Sequence, residues 1–183
     1  MTAGGGARRR LFVACDLPGP VEDAVAAWQR TELSPHRELR TVRPLHLTLV
    51  FLGDVPDERV PAVEQALGGV RWSGARAAVK GPIFLPAHGR RRVVALELED
   101  EDGGLRAVQA EAVAALEAAS LHTPEKRPWL PHVTVARFRR PGHPFSLQNV
   151  TIPGFGVVRM VLYSSHLEQA GAVHAPVAVF PAS

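Results

Sequence analysis

The tripeptide His-x-Thr occurs twice in the chain, as His46-Leu47-Thr48 and His132-Val133-Thr134, and each copy lies in a short apolar run. In an extended strand the side chains at positions i and i+2 leave the same face, so each copy presents an imidazole beside a hydroxyl. The aliphatic residues at the alternate positions then point into a core. Two such strands across a groove would surround one small anionic group, and a phosphodiester fits that description.

Two histidines are sufficient for general acid and base catalysis of phosphodiester cleavage without a metal ion. One ring takes a proton from the nucleophile and the other protonates the departing oxygen. An imidazole has an ordinary pKa of about 6.5 and can do either near neutral pH. The hydroxyls of Thr48 and Thr134 can donate hydrogen bonds to the non-bridging oxygens, where negative charge builds up. Arg137, five residues after His132, is expected at the mouth of the groove as a further ligand for the anion.

Both motifs also have a purely structural interpretation, since His and Thr are acceptable strand residues. Their shared apolar context favours the functional one. An H-E-x-x-H helix and a carboxylate cluster are both missing from the sequence, so we expect neither a metal ion nor another cofactor. The other histidines lie in loop-like or weakly patterned stretches. We assign no role to His166 and predict solvated positions for His36, His88, His122, His143 and His174.

The composition predicts one compact, mildly basic protein. The 183 residues carry 21 Lys+Arg against 18 Asp+Glu and are 46% hydrophobic, a balance that suits an acidic ligand. Cys15 is the only cysteine, which excludes an intramolecular disulfide and fits a reducing cytoplasm. The sequence shows neither a signal-peptide core nor an apolar run of about 20 residues. We therefore expect a monomeric cytoplasmic protein without a membrane segment.

The elements that must position the motifs alternate between strands and helices. We predict a disordered tail over residues 1–9 and a single domain over residues 10–183. Gly53 should end the second strand, and residues 81–89 should form a loop. The same order of strand, helix and strand around each motif predicts an α+β protein with two similar halves. The predicted strands are 11–14, 46–52, 75–80, 93–99, 131–137, 159–164 and 173–180; the predicted helices begin after Pro20 and cover 57–67 and 105–119.

Three stretches carry a further signal, namely residues 11–18 (LFVACDLP), residues 46–54 (HLTLVFLGD) and residues 131–137 (PHVTVAR). In this order and spacing they resemble the two-histidine phosphoesterase superfamily. The nearest similarity is to its RNA 2′,3′-cyclic phosphodiesterase branch, once named 2′-5′ RNA ligase. The resemblance covers most of the chain.

The resemblance implies a bilobal α+β fold in which two antiparallel β-sheets surround a central cleft, with helices packed on the outer faces. It also implies that the protein hydrolyses the 2′,3′-cyclic phosphate at an RNA 3′ end to a 2′-phosphomonoester. In that scheme His46 is the proton donor to the 3′ oxygen, and His132 is the proton acceptor that activates water. Thr48, Thr134 and Arg137 hold the phosphate. The residues by themselves do not tell which ring is the acid.

Two other functions stay open at this point. The groove could belong to a module that binds phosphorylated RNA ends or nucleotides without turning them over. Alternatively, the protein could be a phosphodiesterase for small cyclic nucleotides or for 2′-5′ linked strands. All of these functions use the same groove, so the motifs alone do not separate them.

Overall fold

The computed structural model of the protein describes residues 7–168 and 171–183. A π-helical turn, Gln29–Leu33, continues the first α-helix, and a 3₁₀ turn, Asp57–Arg59, leads into the second. The strands are β1 (Arg8–Asp16), β2 (Leu39–Thr41), β3 (His46–Pro56), β4 (Ala75–Leu85), β5 (Arg91–Asp100), β6 (His132–Gly142), β7 (Phe155–Val157), β8 (Arg159–Glu168) and β9 (Gly171–Pro181). The α-helices are α1 (Gly19–Trp28), α2 (Val60–Gly68) and α3 (Gly104–Ala118).

The strands form two antiparallel halves. The first half has the order β3-β1-β8-β9, and the second has the order β6-β5-β4-β7 with β2 added to β6. The halves meet where β3 pairs with β6, and the register there consists of one residue pair, Leu47 opposite Val133. The predicted α+β class is confirmed. The expected two sheets are instead the two halves of one continuous sheet, because the pair Leu47–Val133 joins them.

The hydrophobic core lies between the sheet and the helices. Helix α3 packs against β3, β4 and β5, and α2 packs against β9 and α3. Leu47 and Val133 are buried in this core, at 0% and 2% exposure, as are Leu105 and Leu116 of α3. Fully burying a side chain of this size contributes about 1.5–3 kcal/mol. Residues on either side of the Leu47–Val133 pair consequently face away from the core.

The start of α3 is held by acidic side chains. Asp100 accepts hydrogen bonds from the backbone N–H groups of Leu105 and Arg106, at 2.9 and 3.0 Å. Asp102 accepts one from the N–H of Gly104 at 2.9 Å. These carboxylates satisfy donors that have no partner inside the helix and suit its positive end.

Two predicted boundaries are wrong, and both errors involve glycine. Gly53 does not end β3, which continues to Pro56; the residue adopts a φ of +69° beside an irregularity in the pairing with β1. Glycine adopts a positive φ at little cost, so β3 continues beyond this residue. Much of the predicted loop 81–89 also lies in strand, since β4 runs to Leu85. Pro82 is tolerated there because β7 pairs only with residues 75–77 of β4.

The ends of two other predicted elements also differ. Residues 1–6 of the predicted tail lie outside the described residues, while Arg8 and Arg9 already pair with β3, so the prediction is wrong for these two. The predicted helix 57–67 is divided into the 3₁₀ turn and α2, with Pro61 in the first turn of α2. Among the described residues, none of the helices combines the length and apolarity needed to cross a membrane.

Candidate active site

The two His-x-Thr motifs meet through their middle residues, where β3 pairs with β6. Extending this antiparallel register by one residue sets His46 opposite Thr134 and Thr48 opposite His132. All four side chains leave the face turned away from the core, and all four are half-buried. Diagonal neighbours in such a pair are about 7–8 Å apart. The two imidazoles therefore leave the same face of the sheet from neighbouring strands, one strand in each half.

Each imidazole is oriented by a backbone group two residues before it. Nδ1 of His132 lies 2.8 Å from the carbonyl oxygen of Leu130, and His46 makes a hydrogen bond to the backbone of Pro44. A carbonyl oxygen only accepts, and proline has no N–H, so the ring N–H donates in both bonds. For His132 this places the proton on Nδ1 and leaves Nε2 able to accept one.

A carboxylate lies in register with each histidine on the neighbouring strand. Asp16 of β1 pairs with His46, and Glu97 of β5 pairs with His132. Glu97 is held by the ammonium group of Lys80, with 2.8 Å between Nζ and Oε1. Sequence reasoning missed both carboxylates, because their places beside the histidines depend on the pairing of distant strands.

Asp16 is part of a polar pocket beside His46. The Tyr163 hydroxyl donates to Oδ1 of Asp16 at 2.6 Å, and the Arg159 guanidinium lies 3.6 Å from Oδ2. Burial and this hydrogen bond raise the pKa of Tyr163, so the phenol stays protonated. The pocket has a volume of about 270 Å³ and is also lined by His174. It provides a polar cavity directly next to one catalytic candidate.

His46 also contacts an aromatic cluster. Its ring centroid lies 5.0 Å from that of Phe12, 5.3 Å from that of His174 and 6.3 Å from that of Tyr163. Phe12 is only 3% exposed, although its side chain points to the same face of β1 as Asp16. The cluster therefore forms the floor beneath His46 and limits how the imidazole can turn.

The pKa of His46 is lowered to about 4, chiefly by burial and then by the neighbouring His174. The hydrogen bond to Pro44 and the carboxylate of Asp16 act in the opposite direction, and Arg137 lowers the pKa slightly further. The ring of the free protein is therefore neutral at neutral pH. An anion bound beside it would favour the imidazolium form and raise this pKa.

His174 is a further residue that the sequence interpretation missed. It was predicted to be solvated, but its ring lies edge-on against Phe12 with 4.9 Å between centroids, and burial lowers its pKa. The prediction is wrong because the β8-β9 hairpin folds back beside β1. His36 is likewise not freely solvated: it stacks on Phe145 with 3.9 Å between centroids. His88 and His143 are exposed, as predicted.

Arg137 reaches the same face as the motif side chains because β6 contains a bulge. In the pairing with β5, Thr134 lies opposite Ala95 and Ala136 lies opposite Val94. Val135 has no partner between them and is the extra residue of the bulge. If side chains alternated strictly along β6, the side chain of residue 137 would point to the core. The extra residue shifts the alternation by one position, so the side chain points to the other face. Arg137 is accordingly exposed on the side of the site.

A buried glutamine supports this bulge. Gln29, only 3% exposed, donates from Nε2 to the carbonyl oxygen of Val135 at 2.7 Å. The N–H of Val42 donates to the same oxygen at 3.0 Å. A bulge removes a carbonyl from the ladder, and these two donors satisfy it. The position of Arg137 thus depends on the first residue of the π-helical turn after α1, far earlier in the chain.

Arg137 belongs to a basic group on the β2-β6 edge. Arg40 is its register partner in β2, and together with Phe138 and Arg139 these arginines line a second pocket of about 340 Å³. Guanidinium groups bind phosphate oxygens through paired hydrogen bonds. This end of the site is therefore suited to anions.

The titratable side chains near the motifs offer proton transfer and anion binding. Among the described residues, no group of three or more His, Cys, Asp or Glu side chains is arranged to hold a metal ion. The thiol of Cys15 is buried, and burial raises its pKa to about 12, so it does not supply a nucleophile.

Replacing Gln29 by Leu should destabilise the fold and loosen the bulge. The Val135 carbonyl would keep only the Val42 N–H, and an imperfectly satisfied buried polar group costs about 1–3 kcal/mol. Urea unfolding monitored by tryptophan fluorescence should show this loss relative to the wild type. Gln65→Leu, on the exposed side of α2, is the matched control and should change little. Equal stability of both variants would contradict the role of Gln29.

Replacing His46 by Gln should flatten the pH dependence of stability. The folded-state pKa, about 4, lies below the ordinary value of about 6.5. The unfolded chain therefore binds more protons between these values, and stability falls as the pH falls through that window. The effect is at most about 3 kcal/mol and is reduced by solvent at a half-buried ring.

Free energies of unfolding measured between about pH 7 and pH 4 should fall less in His46→Gln than in the wild type. The exposed His88→Gln serves as the control and should follow the wild type. Parallel curves for all three proteins would show that His46 keeps an ordinary pKa.

Comparison with known sequences places the chain among related proteins. Residues 17–152 match a family model described as the 2′-5′ RNA ligase superfamily. A protein from Thermus thermophilus named RNA 2′,3′-cyclic phosphodiesterase is 35% identical over 179 residues, covering 90% of this chain and 86% of that protein. A protein of the same name from Escherichia coli is 29% identical over 178 residues, covering 92% and 93%.

Solved structures share the fold. The crystal structure of the Thermus thermophilus protein TT0787 is 30% identical, with a TM-score of 0.81, and covers 94% of this chain and 97% of that one. Escherichia coli LigT complexed with 3′-AMP has a TM-score of 0.83 at 24% identity, covering 97% and 99%, which shows the fold alone. The family model, the relatives and the structures agree with the three sequence stretches: the chain belongs to the 2′-5′ RNA ligase superfamily, the two-histidine phosphoesterases.

Proposed function

We propose that the protein is an RNA 2′,3′-cyclic phosphodiesterase that hydrolyses cyclic phosphate ends to 2′-phosphomonoesters. The observation that carries the proposal is the placement of the two His-x-Thr motifs around the Leu47–Val133 pair, with all four polar side chains on one face. The relatives at 29% and 35% identity bear the same activity in their names. Together these support both the reaction type and the substrate class.

The reaction needs one proton acceptor and one proton donor on opposite sides of phosphorus. Water attacks phosphorus as Nε2 of His132 takes its proton. The bond between phosphorus and the 3′ oxygen breaks, and the imidazolium of His46 gives its proton to that oxygen. The products are a 2′-phosphomonoester and a free 3′ hydroxyl. His132 is left protonated and His46 neutral, and exchange with solvent restores both.

The electrostatics of the two rings support this assignment. The lowered pKa of His46 makes its imidazolium a stronger acid and its neutral form a weaker base, which suits a donor. The negative charge of the bound substrate favours the imidazolium form of His46 and so raises the pKa of the ring. His132 has its Nδ1 proton engaged by the Leu130 carbonyl, so Nε2 is the nitrogen that can accept.

Three further side chains are proposed to hold the phosphate. The hydroxyls of Thr48 and Thr134 donate to the non-bridging oxygens, where charge increases in the transition state. Arg137, brought to the same face by the bulge, adds a guanidinium at one end of the site. This set neutralises charge by hydrogen bonds from protein groups alone.

We further propose that residues 10–183 work as one bilobal domain, because each lobe supplies one histidine to the site. The partners are RNA 3′ ends with a 2′,3′-cyclic phosphate, and we propose a cytoplasmic monomer. The single buried cysteine is consistent with that compartment.

The wild-type protein should convert a short RNA with a 2′,3′-cyclic phosphate end to the 2′-phosphate form in excess chelator. His46→Ala and His132→Ala should each lower kcat by about 10²–10⁴-fold, the usual contribution of acid or base assistance. His88→Ala, an exposed histidine, is the control. Phosphorus NMR of the product distinguishes the 2′ from the 3′ ester.

If the intact protein binds this RNA but does not convert it, the protein is a binding module and not an enzyme. If the protein turns over a small cyclic nucleotide faster than the RNA, its substrate class is small cyclic nucleotides and not RNA ends. Near-full activity in either histidine variant would contradict the assigned roles.

Arg137→Ala should mainly weaken substrate binding. Loss of a charged hydrogen bond costs about 1.5–3 kcal/mol, which corresponds to roughly a 10- to 150-fold rise in KM. The dependence of KM on salt concentration should become shallower, since one fewer phosphate contact releases fewer counterions. Arg71→Ala, at an exposed position before β4, should leave both unchanged. A fall in kcat with unchanged KM would instead place Arg137 in the chemical step.

A further inference from the structure

The proposed proton donor needs a charge that most of its surroundings oppose. His46 must be an imidazolium when the 3′ oxygen leaves, yet burial and the neighbouring His174 lower its pKa to about 4, and Arg137 acts in the same direction. A negative group beside an imidazole stabilises the charged form. The carboxylate of Asp16 is such a group and raises the pKa of His46. This charge belongs to the protein and is in place before any substrate binds.

Strand pairing places Asp16 beside His46. The two residues are Cα partners in the pairing of β1 with β3, and directly opposite residues have Cβ atoms about 4.5–5.5 Å apart. Both side chains leave the same face of the sheet. The side chain of Asp16 is only 27% exposed, so water and salt screen its charge less than they would at an open surface. The fold therefore keeps a carboxylate next to this imidazole.

Two side chains from β8 hold that carboxylate. The Tyr163 hydroxyl donates to Oδ1 of Asp16 at 2.6 Å, and the ring of Tyr163 is fixed by stacking on Phe12 with 5.3 Å between centroids. A neutral phenol orients the carboxylate without cancelling its charge. The guanidinium of Arg159 lies 3.6 Å from Oδ2, but the side chain of Arg159 is 55% exposed, so solvent weakens this ion pair. Asp16 thus keeps negative charge on the side of His46.

The equivalent carboxylate in the second half is held differently. Glu97 is the register partner of His132, but Nζ of Lys80 lies 2.8 Å from its Oε1. The carboxylate beside the proposed acceptor is therefore in a close ion pair, while the carboxylate beside the proposed donor is held chiefly by a hydroxyl. This difference matches the reaction, which needs a charged ring on one side of phosphorus and a neutral ring on the other.

We propose that Asp16 is a positioning residue that stabilises the imidazolium of His46 for proton donation, with Tyr163 holding its carboxylate. The inference rests on the proposed function. Of the two carboxylates around His46, Asp16 is the one in register with the ring. The other titratable or charged groups that act on His46 or line its pocket are Tyr163 and Arg159 from β8, His174 from β9, Arg137 from β6 and Glu22 from α1.

Asp16→Asn should lower kcat on the cyclic-phosphate RNA by roughly 10-fold at pH 8, the effect of one pKa unit on a proton donor. The loss should shrink as the pH falls, because at low pH the ring is protonated with or without the carboxylate. KM should not rise, since an amide repels the phosphate less than a carboxylate does. Asp16→Glu should restore part of the rate.

Two further variants separate this role from a general effect of charge. Tyr163→Phe should reproduce part of the pH-dependent loss, and adding it to Asp16→Asn should cause little further loss, because both changes act through the same carboxylate. Glu97→Gln, at the equivalent position in the second half, should not reproduce the loss at high pH. An equal loss in Glu97→Gln and Asp16→Asn would contradict the specific role of Asp16.

An NMR titration tests the same contact without turnover. The ring signals of His46 in the free protein, assigned with His46→Gln, should titrate at lower pH in Asp16→Asn than in the wild type. An unchanged titration, or a loss of kcat that is the same at every pH, would overturn the proposal. If the wild type converts no cyclic phosphate, the proposed function fails, while the titration still decides whether Asp16 acts on His46.

Discussion

The site depends on one contact between the two halves of the sheet, the pairing of Leu47 with Val133. Both side chains are buried in the core, and this burial turns the histidines and threonines beside them outward. A slip of one residue in either strand would exchange polar and apolar faces, with a large loss of buried apolar area. Hydrophobic burial therefore sets the geometry of the candidate catalytic groups.

The two halves place chemically similar groups in similar positions, yet the surroundings differ. Each histidine has a backbone acceptor, a carboxylate in register and a threonine two residues on. His46, however, lies against Phe12 and His174, and its lowered pKa follows from that setting. In the proposed mechanism, the acid and base roles are thus separated by burial and charge, not by the motif itself.

Each motif strand contains a bulge, at Val135 in β6 and at Leu49 in β3, that shifts the alternation of side chains directly after the threonine. The extra residue leaves a carbonyl outside the ladder in β6, and the buried Gln29 together with Val42 satisfies it. In β3 the indole of Trp129 binds the neighbouring carbonyl of Thr48. These donors come from segments distant in the chain, so the face proposed to bind phosphate is stabilised by packing well outside it.

The sequence by itself determined the two motifs, their strand character, the α+β class and the five candidate residues His46, Thr48, His132, Thr134 and Arg137. These follow from local alternation and residue chemistry, which need no knowledge of distant contacts. Only the tertiary structure decided that Asp16, Glu97 and His174 lie beside the histidines and that Gln29 supports the bulge. It also decided which face Arg137 occupies, because a bulge is defined by pairing with another strand. The lowered pKa of His46 likewise depends on burial by residues far along the chain, and no local pattern encodes it.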